Sequence, residues 1–443
     1  MQTDGRCFEP IATSNRFPYN RQMHLRESLQ SACVPKRWAN KSSAGRAGDK
    51  DLEHEAVRQV HYIQQALSQN KRPVGFFIGA GCPLSIRLAD GSALIPDVAG
   101  LTKVISETFA AGAHKEAWKK LLAAVIEDGG GADNIEYILS YIRQLAAVAG
   151  PSTVRGLDRT TLDQMDTEIC AVISEQVDKA LPDRSSAYHD LAIWTRSIRR
   201  AKPVQIFTTN YDLLVEQALE ESATPYFDGF VGTRKAFFDL GAVEDENLLP
   251  ARWARLWKIH GSLNWRLTSD GKRVVRSDNR DKSTSYLIYP SHLKYDQSRK
   301  MPYLAMLDRL KAFILQPNAI LFMSGYSFSD EHINDVICRS LEANPTAQVF
   351  GLIYGDLADD RYQKARECGC QMPNLSIMGE YSAIIGRIEG LWKALSDDVS
   401  PSIPPGIVSK AADGKTKVSL GNFAHFGNLI RYLTGEVAED DAA

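Results

Sequence analysis

Seven short apolar runs, most of them parted by stretches of helical spacing, constrain this chain of 443 residues more than any other feature. The runs are residues 74–78, 204–207, 256–259, 286–289, 319–323, 348–354 and, more weakly, 375–378. A strand that lacks polar–apolar alternation is one buried on both faces. Helical stretches stand at 212–222, 303–315, 330–343 and 359–367. Parallel neighbours need a crossover, and a helix supplies it. The alternation therefore predicts an α/β fold built on a doubly wound, mostly parallel sheet.

One interval breaks the rhythm. Residues 100–200 read almost wholly helical, with Ile135, Ile138, Leu139, Ile142 and Leu145 on one face after the breaker "DGGGAD". That is too much helix for one crossover, so it reads as a helical insertion within a domain spanning 51–398. Ala56, Val60, Ile63 and Leu67 predict a helix leading into the first strand. Ile384, Ile388, Leu391 and Leu395 recur at helical spacing and predict a closing helix. Residues 1–50 carry nine Lys/Arg against four Asp/Glu without periodicity and read as a flexible basic arm. Residues 399–443 begin with "PSIPP" and read as linker and tail, with one short helix near 423–433 and acids at Glu439, Asp440 and Asp441.

The totals exclude more than they suggest. A formal net charge of −2 offers no global case for nucleic-acid or membrane binding. No apolar run approaches the ~20 residues of a membrane span, and the first residues lack a signal-peptide layout. Seven scattered cysteines make no disulfide framework, and the expected setting is a reducing cytoplasm. Cys368 and Cys370 are one residue too close for C-x-x-C, with no second pair to complete a zinc site.

Chemistry is expected at strand ends, where open parallel sheets bind ligands. The first run breaks into Gly79-Ala80-Gly81-Cys82. This is a tight turn whose free N–H groups suit a phosphate. Leu84 holds the place of a third glycine, so the dinucleotide fingerprint is incomplete, and a turn without ligand stays open. "FTTNYD" places Asn210 and Asp212 where a strand opens into a helix. One of them suffices for capping; two also suit ribose hydroxyls or a carboxamide. "KIHGSLNW" leaves His260 at the sheet's rim, either a structural histidine or an acid–base group. "LFMSGYSFSDEHIN" places Gly325, Tyr326 and Ser327 in a turn suited to an adenosine. Ser329 is the expected helix cap there, Asp330 and Glu331 argue against a phosphate, and His332 reads as structural.

The order of these pieces resembles that of the sirtuin family. Sirtuins run G-A-G-I-S, I-P-D-F-R, T-Q-N-I-D, H-G, then G-S-S or G-T-S. Here the elements are Gly79-Ala80-Gly81-Cys82, Ile95-Pro96-Asp97, Thr208-Thr209-Asn210-Tyr211-Asp212, His260-Gly261-Ser262 and Gly325-Tyr326-Ser327, within about residues 70–380. The resemblance implies a Rossmann-like sheet and NAD bound by Gly79, Ala80, Gly81, Cys82, Asp97, Thr208, Asp212, Gly325 and Ser327. Asn210 and His260 are the implied catalytic pair.

Two departures bear on activity. Between Gly261 and Gly325 there is no cysteine, so the structural zinc of sirtuin deacylases is not expected. Ala99 and Pro83 stand where the family has arginine and serine. The zinc-less layout resembles the sirtuin-like NAD hydrolases of bacterial anti-phage defence, and implies an enzyme that cleaves NAD to nicotinamide and ADP-ribose. A homo-oligomer and a HerA-type ATPase partner are the implied associations. A protein deacylase and a non-catalytic NAD or ADP-ribose sensor are the alternatives.

Overall fold

The computed structural model describes residues 52–268, 273–277, 302–395 and 402–435. The expected basic arm at 1–50, the run at 286–289 and the acidic end lie outside them. Ten described strands form one sheet. In chain order they are β1 (Glu53–His54), β2 (Val74–Ile78), β3 (Gln205–Thr208), β4 (Tyr226–Phe227), β5 (Ala254–Lys258), β6 (Ile320–Ser324), β7 (Gln348–Leu352), β8 (Leu375–Met378), β9 (Ser382–Ile385) and β10 (Ile388–Trp392). Across the sheet the order is β1-β10-β9-β8-β7-β6-β2-β3-β5-β4. From β8 to β4 every neighbouring pair is parallel. The protein is thus an α/β, doubly wound, Rossmann-like fold with a mostly parallel central sheet.

The strands' continuous apolar character follows from cover on both faces. Phe76 and Ile78 of β2 join one core with the Ala56–Ser68 helix and the helices of the 98–197 region. Phe77 points the other way, into a core shared with the Tyr303–Ile314 and Glu331–Ala343 helices. β6 divides likewise: Ile320 and Phe322 on the first face, Leu321 and Met323 on the second. A period of two along a strand accounts for this sorting.

Five helices occupy the interval between β2 and β3: Val98–Ala111, Lys115–Glu127, Ile135–Ala149, Arg159–Val177 and Ala187–Ser197. Ile135, Ile138, Leu139, Ile142 and Leu145 are buried as their spacing predicts, in the same apolar cluster as the sheet's first face.

Two expectations are corrected. The closing helix is a β-hairpin, β9–β10, joined at Gly386 and Arg387, both at positive φ (59° and 72°). Two left-handed residues between paired strands make a tight hairpin turn whose twist matches the strands. Ile384 is buried whereas Ile388 and Leu391 are exposed, so the apparent helical spacing carried no buried face. The second correction concerns the tail. Ile403 and Ile407 are buried, and the Phe423–Thr434 helix lies on the sheet, with Phe426 centred 6.2 Å from Phe76 and 5.9 Å from Phe322. Residues 402–435 are part of the core rather than a linker and tail, because their aromatic side chains complete the β2–β6 face.

Candidate functional site

β2 stands at the reversal of strand order, with β3 reached on one side and β6 on the other. The crevice beyond the carboxyl ends of such strands is where doubly wound sheets bind ligands. Here it holds a cavity of about 380 Å³, within the usual range of small-molecule sites.

Its floor is two turns locked face to face. Gly79 N donates to Ser324 O (2.9 Å), Gly81 N to Gly325 O (2.9 Å) and Cys82 N to Gly79 O (3.0 Å). The N–H groups of Gly79, Gly81 and Cys82, expected to be free for a phosphate, are therefore committed to the fold. The glycines have a different cause. A Cβ on Gly79 would stand 2.3 Å from Gly325 O, and one on Gly325, at φ 66°, would stand 2.5 Å from Cys82 N. Backbone meets backbone here, and a side chain on either turn would part them. Cys82 is buried and donates its S–H to Ser324 O at 3.2 Å. Burial pushes this thiol up to about 12, so it stays protonated at neutral pH. Ala80 reaches the cavity; Gly79, Gly81 and Cys82 support it from behind.

The β3 end supplies the polar wall. Thr208 Oγ1 donates to Ile78 O (2.8 Å) and accepts from Asn210 N (3.0 Å), so Thr208 positions the turn without lining the cavity. Asn210 lines it, and its Nδ2 donates to Gly79 O at 3.1 Å. It caps no helix. Asp212 does part of that work, accepting from Leu214 N at 3.1 Å, yet it also lines the cavity. Burial pushes the Asp212 carboxyl up, opposed by the Lys258 ammonium and the Asn210 amide.

His260 stands two residues past β5, before Gly261 at φ 96° turns the chain away. Its Nε2 lies 3.3 Å from Asp330 Oδ2. The other Asp330 oxygen accepts from His332 N (3.0 Å) and Ile333 N (3.3 Å). Asp330, not Ser329, is therefore the cap of the Glu331–Ala343 helix. A carboxylate pinned by a helix N-terminus is a fixed partner for an imidazole. Gly325, Ser327, Asp330 and His332 line the cavity opposite Asn210. Asp97 does not; it is exposed and caps the Val98–Ala111 helix through Gly100 N.

The roof was not legible. Asn134, Glu136, Tyr137 and Ser140, from the start of the Ile135–Ala149 helix, line the cavity with Leu101 and Val177. These residues stand between the isoleucines that mark the helix's buried face. The available signal was only the Asn134 cap after a glycine run, which marks a helix start and not a ligand. Among the described residues no group of three or more His, Cys, Asp or Glu side chains could hold a metal ion.

The span from β3 to the GYS turn and beyond is what known proteins share with this chain. Residues 204–370 match the SIR2-like domain. The match supports a sirtuin-like family, and SIR2-like domains use NAD. It includes Asn210, Asp212, His260 and Gly325 but not the Gly79–Cys82 turn, which the fold brings against Gly325. No curated protein matches the chain.

Proposed function

We propose that this protein is an NAD hydrolase that releases nicotinamide and ADP-ribose. One observation carries the reading: Asn210, Asp212 and His260, from two adjacent strand ends, face one cavity at the sheet's switch point inside the SIR2-like span.

The bond to be broken joins the ribose anomeric carbon to a pyridinium nitrogen. As it breaks, the bonding pair passes to that nitrogen and nicotinamide departs neutral. No acid is needed for the leaving group; the requirement is to stabilise an oxocarbenium-like ribose and to activate water. Asp212 accepts from the carboxamide N–H and orients the ring. Asn210 holds the ribose or the incoming water. His260 takes the proton from that water as its oxygen bonds to the anomeric carbon, with Asp330 holding the imidazole in place.

The test is product analysis with purified full-length protein and NAD. Equal amounts of nicotinamide and ADP-ribose support the reading. Nicotinamide only when an acyl-lysine peptide is present would establish a deacylase. Nucleotide binding without turnover would establish a sensor.

The same resemblance carries the cellular role: an effector that depletes NAD during phage infection, as a homo-oligomer with a HerA-type ATPase. Light scattering of the protein with and without such a partner tests the assembly. A strict monomer that ignores the ATPase would count against it.

A further inference from the structure

Beneath the polar wall lies a group the mechanism above does not use. Lys258, the last residue of β5, is 2% exposed. Its Nζ donates to the Asp212 carbonyl and, at 2.9 Å, to Glu216 Oε1. Lys258 pairs in register with Thr208 of β3 and stands two residues before His260. One ammonium thus ties the turn bearing Asn210 and Asp212 to the strand that delivers His260. Glu216 is 7% exposed, and its second oxygen, Oε2, is buried without a hydrogen-bond partner.

The charges do not balance. One buried cation faces two buried carboxyl groups, Asp212 and Glu216. The neighbouring ionisable groups inside are Tyr188, Cys82 and Tyr226, all held neutral because burial pushes each of them up. On the outer side Asp178, Lys179, Glu220, Arg234 and Arg276 border the cavity that Glu216 also lines. Burial pushes both Asp212 and Glu216 up, with Lys258 opposing it in each case. Two acids sharing one cation titrate as a pair rather than as independent groups.

We propose that Lys258 and Glu216 are positioning residues: Lys258 fixes the Asn210–Asp212 turn against β5, and Glu216 competes with Asp212 for its charge and so sets the pH at which Asp212 ionises. The proposal rests on the NAD-hydrolase reading for its catalytic consequence only.

The direction of each effect follows. Glu216→Gln keeps an acceptor for Lys258 but removes one negative charge, so Asp212 loses its competitor and gives up its proton at lower pH. Lys258→Met removes the cation and drives the same proton to be held to higher pH. It also frees the turn, and a misplacement of about 1 Å can cost ~100-fold in rate.

The experiment is the pH profile of kcat/KM for full-length parent, Glu216→Gln and Lys258→Met, beside a substrate-free infrared titration of the buried carboxyl stretch. The expected result is an acid limb displaced to lower pH in Glu216→Gln and to higher pH in Lys258→Met, with the infrared transition moving the same way. Superimposable profiles and infrared transitions in parent and Glu216→Gln would overturn the proposal. Should Lys258→Met fail to fold, the near-isosteric Glu216→Gln decides alone. Should the parent release no nicotinamide, the NAD-hydrolase reading fails, and the infrared shift in Glu216→Gln still decides the charge relation.

Discussion

The floor and the roof of the cavity are built under different constraints. On the floor, the Gly79–Cys82 and Gly325–Ser327 turns touch through their backbones, so contact dictates glycine at Gly79, Gly81 and Gly325. On the roof, the Ile135–Ala149 helix is fixed by its Asn134 cap and by a buried apolar stripe toward the core, and that stripe does not dictate the Glu136 and Tyr137 side chains that reach the cavity. A floor of this kind fixes where a ligand lies; a roof of this kind is free to select what it is. Substitutions on the floor should therefore cost folding or rate, and those on the roof should change affinity.

The largest expected effect is on the floor's interlock. Gly325→Ala should cost about 3 kcal/mol or more, because its Cβ would stand 2.7 Å from Cys82 Sγ and 2.5 Å from Cys82 N. Gly129 shares a positive φ but has nothing within 4 Å of an added Cβ. Gly129→Ala should cost only the left-handed conformation, about 1 kcal/mol. Equal losses by denaturant unfolding would mean that conformation, not contact, explains Gly325.

Next comes Asp330, at the edge of the floor. Asn caps helices as well as Asp does, so Asp330→Asn should leave unfolding nearly unchanged. It should still slow nicotinamide release by about 10- to 100-fold, because the charged partner of His260 is gone. A parental rate in a stable Asp330→Asn would reduce Asp330 to a cap.

The roof should respond more mildly. Tyr137 packs over Gly130, where an added Cβ would stand 2.1 Å from its ring. Tyr137→Ala should raise KM for NAD by about tenfold, the equivalent of ~1.4 kcal/mol of lost contact, with little change in kcat. A fall in kcat with KM unchanged would place the roof in the chemistry. Smallest is Asn134→Ala, which removes the cap bonds to Glu136 N and Tyr137 N and should cost about 1 kcal/mol of stability.

The same contrast explains what was legible in advance. The central strands read correctly to within one or two residues because cover on both faces gives each an unbroken apolar stretch, with polar residues such as Gln205, Arg255 and Lys258 standing near the strand ends. Asn210 and His260 were legible because strand ends in a parallel sheet converge, whatever their separation in sequence. The β9–β10 hairpin was misread because its spacing imitates a helix, and only the left-handed pair Gly386-Arg387 separates the two. Asp97 follows the sirtuin pattern in sequence yet does not line the cavity, its carboxylate being taken up in capping the Val98–Ala111 helix. Asp330 was read as a first-turn acid, since its relation to His260 spans 70 residues and appears only when β5 and the β6 turn stand side by side. Lys258 and Glu216 leave no signal at all: a lysine in an apolar strand reads as an edge residue until its partners are seen.

The central claim is that Asn210 and His260 act together on NAD. Its most direct measurement is nicotinamide release by parent, Asn210→Ala, His260→Ala and the double variant, each checked for an unchanged unfolding transition. The account predicts release by the parent and, with either residue removed, a rate lower by about 100- to 10,000-fold, the double variant being little worse than the singles. A stably folded double variant that cleaves NAD at the parental rate would contradict it.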